Sequence, residues 1–516
     1  MENGRVCAII EIGSNSIYFR IAQRKSGKIE ILESIEYPLS LGKDSFSKGK
    51  IDFEKIMQSC VLIEEFIKLA EGYGIRPKDI KLIATTAIRE AKNREYIIDQ
   101  IKVKTGITMT ILDDSEEKLI MYKEIIRKIN NMPELENEAV LIAYIGSGSL
   151  GVAVYKDNRI IFTQNILIGT LKLSEILGDL KYKTEKLYEV IDEYMSSFTK
   201  MLINILPEKK IKHFVVSGSG IRFLRAQCNY VEKNCNYYHE KEDFIKIYDG
   251  VKYKNSEQLV REFNVSKERA DILLPSMGIY KSILELTDAE KIISPVGDLV
   301  DAYIYTVLFE KEMEEIEEMV EESTILTSRN IAKRYFYDEE HAKFVERIAL
   351  KIYDKLKKFH GMGERERLLL QLAAILHDIG KYVNIKNHYK HSFNIIMASD
   401  LLGLTEKETA VVANIARYHS RELPGDDSRV FRNIKSEERV MISKLTAILR
   451  VADGLDRSHL QKVKNIDIIF KGYEMVVTIS GEKEILIDEW TFIKKSKFME
   501  EVFGIKTIVK KRGREI

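Results

Sequence analysis

The sequence predicts a multidomain chain: α/β through about the first 300 residues, all-α after that, and a small α+β tail. Three observations carry this. β-rich and helix-periodic segments alternate through the first part, as in layered α/β domains. From about residue 300 the pattern becomes almost wholly helical until about residue 460. The hexamers 11-EIGSNS-16 and 144-YIGSGS-149 share I-G-S-x-S, each between β runs, so the α/β part reads as two pseudo-equivalent lobes facing each other across a cleft. The expected boundaries are lobe I at 1–130, lobe II at 131–305, a helical connector at 306–325, a helical domain at 326–462 and the tail at 463–516.

Each element has its own signal. Residues 6–36 read as strands flanking one turn, and 53–73 carry a helical period through Phe53, Ile56, Val61, Ile63, Phe66 and Leu69. The strand KLIATTA, a helix and the strand TMTIL follow. The acidic helix 114-DSEEKLIMYKEIIRKI-129 opens on the capping pattern Ser115-Glu116-Glu117-Lys118. Residues 139–168 return to strands, 183–206 form a long amphipathic helix, and HFVVSGSGIRFL repeats a strand–turn–helix grammar. The run 309-FEKEMEEIEEMVEEST-324 is a charged helix, and the tail shows strands at IDIIF, YEMVVTIS and EILIDEW before the basic end KKRGR.

Bulk composition narrows the classes. With 81 Lys+Arg against 80 Asp+Glu, the net charge of +1 argues against a general nucleic-acid coat, so no specific nucleic acid is expected and anion binding must come from local clusters. The four cysteines form no CxxC, which indicates neither a disulfide framework nor a zinc knuckle. No apolar run is long enough to cross a bilayer, and the polar start MENGR does not read as a signal peptide; the expectation is a cytoplasmic protein with no membrane partner.

The turns Gly13-Ser14-Asn15-Ser16 and Gly146-Ser147-Gly148-Ser149 have the look of phosphate cradles, because small residues let backbone N–H groups and hydroxyls close on an anion. Tyr144, however, leads into the second turn where metal-assisted phosphotransfer usually needs a carboxylate. The ordered set EIGSNS, 84-ATTAIREAKN-93, 115-SEEKLIMY-122, YIGSGS, 165-NILIGTLKL-173, 217-SGSGIRFL-224, 268-ERADILLPSMGI-279 and 294-SPVGDLVDA-302 resembles the exopolyphosphatase and guanosine pentaphosphate phosphatase (Ppx/GppA) family. The resemblance implies two actin-like lobes, of the sugar-kinase-like ATPase and ribonuclease H-like type, around a cleft. It also implies that the two turns grip consecutive phosphates, that Arg89 bridges phosphate oxygens with its planar fork, and that Glu117 activates the attacking water. The sequence departs from the family at three places. Glu11 stands for an Asp, Tyr144 for an Asp and Gly151 for a Glu, which leaves Glu11 and Glu117 to position Mg²⁺. The implied hydrolysis is slow, or replaced by binding.

Seven of the nine histidines lie between 341 and 459. His341, the pair His377-Asp378 in 372-LAAILHDIGK-381, and Asp453 in 449-LRVADGLDRSH-459 resemble the H…HD…D metal set of the HD metal-dependent phosphohydrolases, with His388, His391 and His419 as candidates for a second ion. Such donors suit Mn²⁺, Fe²⁺, Co²⁺ or Zn²⁺, and a bound metal lowers the pKa of its water. His360 and His459 read as surface residues. Three functions stay open: a phosphoanhydride hydrolase trimming polyphosphate or guanosine pentaphosphate in the amino-terminal cleft; a metal-dependent HD-type hydrolase whose cleft senses polyphosphate or guanosine penta- or tetraphosphate; and a non-enzymatic anion-binding regulator. Relatives imply a homodimer with basic grooves, for which KYKTEK, EKKIKH and KKFHGMGERER are the candidate pieces.

Overall fold

The computed structural model describes residues 5–130, 132–178, 180, 184, 186–425, 431, 434–480 and 484–511. The lysines at 181 and 183 and the end of the basic tail, 512–516, fall outside these. The chain divides into two compact units, Met1–Ser323 and Thr324–Ile516.

In the first unit, β1 (Val6–Ile12), β2 (Ser16–Lys25) and β3 (Lys28–Pro38) form an antiparallel meander. Strands β4 (Lys81–Ala84) and β5 (Met109–Ile111) extend it in parallel beside β1, giving the order β3-β2-β1-β4-β5. The same plan recurs in the second sheet. Strands β6 (Val140–Ile145), β7 (Leu150–Lys156) and β8 (Arg159–Ile166) form the meander, and β9 (His213–Gly218) and β12 (Lys291–Pro295) run parallel to β6. The hairpin of β10 (Val231–Lys233) and β11 (Asn236–Glu240) is added at the far edge. Two lobes built on one strand order are what an actin-like pair of lobes requires, and they account for the repeated hexamer.

The central strands VCAIIEI and VLIAYI read as unbroken apolar runs because helices cover both faces of each sheet. The helix Phe53–Gly72 buries Ile56, Cys60, Ile63, Phe66, Ile67 and Ala70 on one stripe. The helix Leu187–Ile205 likewise buries Ile191, Met195 and Leu202. Helix Asp114–Ile129 begins one residue after Asp113, whose side chain caps it reciprocally with Glu116, so the capping box is 113–116 rather than the Ser115 pattern.

The second unit differs from the sequence expectation in three respects. A helix runs Glu310–Arg334, well past the expected connector, and the division between units falls inside it. The unit is not all-α with a detached tail: β13 (Asn465–Lys471), β14 (Glu474–Ser480) and β15 (Lys506–Lys511) form one sheet whose Ile466, Met475 and Val477 share a core with Leu370, Ile375 and Ile448. EILIDEW is not a strand; Leu486 begins the helix Leu486–Phe503, which places Phe492 and Met499 in that same core. Among the described residues, no helix is long and apolar enough to cross a membrane.

Candidate functional site

The two glycine–serine turns meet. Ser14 Oγ and Ser147 Oγ lie 2.8 Å apart. The turns are built alike: Gly13 N donates to Ser16 O at 3.0 Å, and Gly146 N to Ser149 O at 2.9 Å. Each is gripped from behind by a following segment, Gly42 N donating to Ser14 O and Leu171 N to Ser147 O. The second grip needs a glycine, since a Cβ on Gly169 would stand 2.3 Å from the Ser147 carbonyl carbon and oxygen. A cavity of about 960 Å³ opens over the turns and is lined by Gly13, Ser14, Asn15, Ser16, Gly146 and Ser147 together with Glu11 and Glu117. The structure therefore brings most of the residues singled out in the two hexamers to one space.

Arg89 and two hexamer residues, Gly148 and Ser149, are not among the residues that line it. Arg89 does not line the cavity; its buried guanidinium donates to Leu112 O at 2.8 Å, Glu117 at 3.2 Å, Thr86 Oγ1 at 3.1 Å and Asp114 at 3.3 Å. The fork is engaged by protein acceptors, and its ion pair with Glu117 orients that carboxylate. Ser149 donates to Asp114 at 2.5 Å and accepts from Lys118 Nζ at 2.7 Å. Gly148 packs on Thr86 of lobe I, where an added Cβ would come within 2.5 Å of the threonine methyl.

The departures from the family's acids have a visible consequence. Tyr144 Oη donates to Glu117 Oε1 at 3.0 Å, and burial, with the Glu117 charge, holds that phenol well above its ordinary pKa. A Cβ on Gly151 would meet Tyr122 Oη at 2.5 Å and Lys118 Cδ at 2.8 Å. Lys118 thus fills the space beside Gly151 and pairs with Asp114. Sequence reasoning missed Lys118, which is buried on the same helix as Glu117. Glu11 is buried, and burial, reinforced by the charges of Asp298 and Glu117, pushes its carboxyl up to about 8. Glu11, Glu117 and Asp298 line one cavity and their charges repel one another.

Sequence reasoning also missed a network at the side of the cavity. Arg20 donates to Asp298 at 2.9 Å and Asp301 at 2.5 Å. Glu36, cross-strand from Tyr18, accepts from Ser16 Oγ, Tyr18 Oη and Arg269 at 3.1 Å each and from Arg222 at 2.7 Å.

In the second unit the histidine cluster closes around Asp378. His341 Nε2 lies 3.3 Å from Asp453 Oδ1, 3.3 Å from His377 Nε2 and 3.7 Å from Asp378 Oδ2. On the other side of the same carboxylate, Asp378 Oδ1 is 3.3 Å from His388 Nε2 and 3.5 Å from His419 Nε2. Asp378 Oδ1 is buried with no hydrogen-bond partner, so its lone pairs are available to a cation. The other ring nitrogens face outward to fixed acceptors: His377 Nδ1 to Ala374 O at 2.8 Å, His388 Nδ1 to Ile385 O at 3.0 Å, His419 Nδ1 to Ala416 O at 2.6 Å and His341 Nδ1 to Asp456 at 2.8 Å. Protons on Nδ1 leave the Nε2 lone pairs pointing inward, the arrangement in which imidazoles bind metal.

The expectations fail at three histidines. Neither His391 nor His388 joins the ligand groups found among the described residues, but His388 lies 3.3 Å from Asp378 Oδ1. His360 is buried, not exposed, and pairs with Tyr353 O at 3.0 Å. His459 stacks on His341 with ring centroids 3.7 Å apart and bonds Asp338 at 2.9 Å, so it belongs to the rim of the cluster. Asp456 and Lys495 were overlooked. Asp456 is fully buried behind His341, and Lys495, from the tail helix, pairs with Asp453 and donates to His419 O at 3.1 Å. Asp456 had one signal, its spacing of three residues from Asp453.

The electrostatics agree with a cation-seeking site. Burial drives His377 down to about 3. In His341 burial acts the same way, but the Asp453 and Asp456 carboxylates outweigh it and raise the ring to about 9. Carboxylates that recruit a proton there would equally recruit a metal ion.

Comparison with known proteins adds the family. Residues 20–310 match the model of the Ppx/GppA phosphatase family, and residues 324–489 match Ppx/GppA phosphatase, domain III. The second unit is therefore matched as this family's own third domain rather than as an HD-type domain, which corrects that expectation. A protein of Pseudoalteromonas translucida named guanosine-5'-triphosphate,3'-diphosphate pyrophosphatase is 21% identical over 454 residues, covering 86% of this chain and 87% of its own. One of the same name from Photobacterium profundum is 18% identical, covering 81% and 80%. Among solved structures, an exopolyphosphatase from Cytophaga hutchinsonii has a TM-score of 0.49 at 19% identity, covering 59% of this chain and 98% of its own. The Aquifex aeolicus Ppx/GppA family member has 0.49 at 22%, with the same coverage. With more than half of its length matched by the family model, the chain belongs to the Ppx/GppA phosphatase family.

Proposed function

We propose that the amino-terminal cleft hydrolyses the terminal phosphoanhydride of a phosphate chain, inorganic polyphosphate or guanosine pentaphosphate. The observation that carries this reading is the 2.8 Å approach of Ser14 and Ser147 beneath a cavity that Glu117 also lines. In this reading the turn amides and hydroxyls hold the last phosphates, and Arg89 and Tyr144 fix the Glu117 carboxylate. Glu117 orients a water and takes its proton as the water oxygen bonds to the terminal phosphorus and the bridging P–O bond breaks. Glu11 and Glu117, with Asp298 nearby, would hold Mg²⁺, which supplies charge neutralisation to the phosphates. Turnover is slow relative to a site with the full acid set.

A second reading is favoured by the geometry around Asp378. His341, His377 and Asp453 on one side, and His388 and His419 on the other, would hold one or two ions of the Mn²⁺, Fe²⁺, Co²⁺ or Zn²⁺ type, and the unit would then hydrolyse phosphate esters as HD-type enzymes do. Phosphate release from polyphosphate and from guanosine pentaphosphate separates the two readings. Glu117→Gln should lower the rate about 10²–10⁴-fold, the usual worth of a general base, with Asp378→Ala near the parent. Loss in Asp378→Ala alone would overturn the first reading in favour of the second.

A further inference from the structure

An aromatic pair stands exposed beside the histidine cluster, at a place where the backbone would favour glycine. The helix Glu310–Arg334 ends in a Schellman turn: Phe336 N donates to Lys333 O at 3.1 Å and Tyr337 N to Ala332 O at 3.4 Å. The residue at the bend has φ 48°, the left-handed conformation for which such turns usually employ glycine. Here it is Phe336. A bulky side chain strains that backbone, and the ring recovers little by burial, being 82% exposed. It stacks nearly parallel on Tyr382, with centroids 5.8 Å apart and an interplanar angle of 14°. Tyr335 braces Tyr382 from the side at 5.7 Å. Strain held under an exposed ring points to a use for the ring.

Both rings lead to the cluster. Lys381, beside Tyr382, meets Asp378 Oδ2 at 2.5 Å and donates to His459 Nε2 at 3.2 Å. Asp338, two residues past Phe336, accepts from His459 Nδ1 at 2.9 Å and from His341 N at 3.1 Å. His459 therefore ties the two segments together between the rings and the carboxylate. Two residues of chain span at most about 7 Å, of the order of the reach from a base to its 5′-phosphate.

We propose that Phe336 and Tyr382 are a stacking platform for the base of a nucleotide whose phosphate enters the cluster beside Lys381. This rests on the second reading above, in which the cluster is a metal site, and names the class of ligand that site takes. Every base offers a π face to an aromatic ring, and Lys381 supplies an ammonium to the phosphate. Tyr382 is 59% exposed, and Val383 and Ile385 after it are exposed as well, so the platform is open to a ligand. The adjoining ammonium and metal-ligating groups favour a planar ring that carries an anion over an apolar protein segment.

The test is equilibrium binding to the full chain, with Mn²⁺ present, of the non-hydrolysable 5′-methylenephosphonate analogue of guanosine monophosphate, against methylphosphonate, which lacks a base. Phe336→Gly removes ring and strain together, and Tyr382→Leu removes the plane but keeps apolar bulk. Each should weaken binding of the analogue about tenfold and leave methylphosphonate unchanged, while Phe336→Tyr binds like the parent. Phe336→Gly should also unfold in urea no earlier than the parent; earlier unfolding would make the ring a structural prop and overturn the proposal. Parent-like binding in both Phe336→Gly and Tyr382→Leu, or equal affinity of the parent for the analogue and for methylphosphonate, overturns it too. Paramagnetic resonance of Mn²⁺ on the same samples judges the metal reading separately. Bound Mn²⁺ with no effect of the rings leaves that reading standing without the platform, and ring-dependent binding with no bound Mn²⁺ keeps the platform and overturns the metal reading.

Discussion

Gly169→Ala tests whether the second turn is held where the phosphate chemistry needs it. Gly169 has φ −109° and ψ 177°, an extended conformation that alanine adopts freely. Backbone strain is therefore absent, and the lower entropy of an unfolded chain with alanine would by itself add about 0.4–1 kcal/mol of stability. Sterics oppose this. The new Cβ would stand 2.3 Å from Ser147 C and O and 2.4 Å from Gly148 N, all of them backbone. Ordinary contact begins at 3.4 Å, so the turn must retreat by about 1 Å. That retreat pulls on Thr170 N to Gly146 O, Leu171 N to Ser147 O and Lys172 N to Ser147 O, the hydrogen bonds by which the following segment holds the turn. Overpacking of this kind costs about 1–3 kcal/mol, for a net loss of about 1–2 kcal/mol. A displacement of about 1 Å at a reacting centre costs about 10²-fold in rate. Gly250, inside the helix Lys241–Lys252 with nothing within 4 Å of a Cβ, is the control; alanine there should gain about 0.8 kcal/mol. Urea unfolding followed on the amino-terminal unit, with phosphate release at saturating polyphosphate, reads both quantities. If Gly169→Ala matches Gly250→Ala in stability and the parent in rate, the contact does not position the turn and the reasoning fails.

Other consequences follow from the buried charges. Glu11 keeps its proton in the folded chain up to about 8, against an ordinary value of 4.5. Its contribution to stability is thus full below the lower value and is lost as pH rises through the higher, with a slope of up to about 1.4 kcal/mol per pH unit. Urea unfolding with chelator present should show this fall between about pH 5 and pH 8, and Glu11→Gln should flatten it; a slope unchanged by the substitution refutes the assignment. In the second unit, Mn²⁺ or Zn²⁺ at about a hundred times its dissociation constant should stabilise the fold by about 2.7 kcal/mol, reversibly on chelation and not in His377→Ala. A parent whose unfolding ignores both ions would exclude the metal reading. Asp456→Asn, which weakens the hydrogen bond behind His341, should lower metal affinity about 10–100-fold in a competition titration, and an unaltered affinity would mean that Asp456 is only structural.

What could be read in advance was whatever repeats or clusters in the chain. The hexamer pair held because strand–turn–strand grammar is local, and the same backbone hydrogen bond closes both turns. The order His341, His377-Asp378, Asp453 pointed to residues that the structure gathers, since each sits at the end or on the inner face of a helix whose periodicity was visible. The acceptors of Arg89 could not be read in advance: the fold brings the Leu112 carbonyl, Asp114 and Glu117 to its guanidinium, and Glu117 itself lines the cavity. Glu36, Arg222 and Arg269 are separated by up to 233 residues and were invisible because only the folded lobes bring them together. EILIDEW misled through its β-branched residues, which the second unit uses at the start of a helix packed against its sheet.

The two acids missing from the second turn are best understood together with what replaced them. Without the two expected carboxylates and a cation between them, the part-buried Asp114 and the buried Glu117 would lack a counter-charge, and burying a carboxylate unpaired is costly. The chain meets that cost internally. Gly151 leaves the room that Lys118 enters, and its ammonium pairs with Asp114 and donates to Ser149. Tyr144 gives Glu117 a neutral donor, and Arg89 spans both acids. Local charge is balanced by side chains that cannot leave, where an acid-rich shell would depend on an ion that can. Neither Ser14 nor Ser147 takes part in these contacts; the two hydroxyls face each other at 2.8 Å. On this reasoning Gly151→Glu alone should not restore a metal shell: the new carboxylate would collide with Lys118 and Tyr122, and only together with Lys118→Ala and Tyr144→Asp should Mg²⁺ dependence of phosphate release become steeper. Recovery of that dependence by Gly151→Glu alone would show that Lys118 is not the replacement.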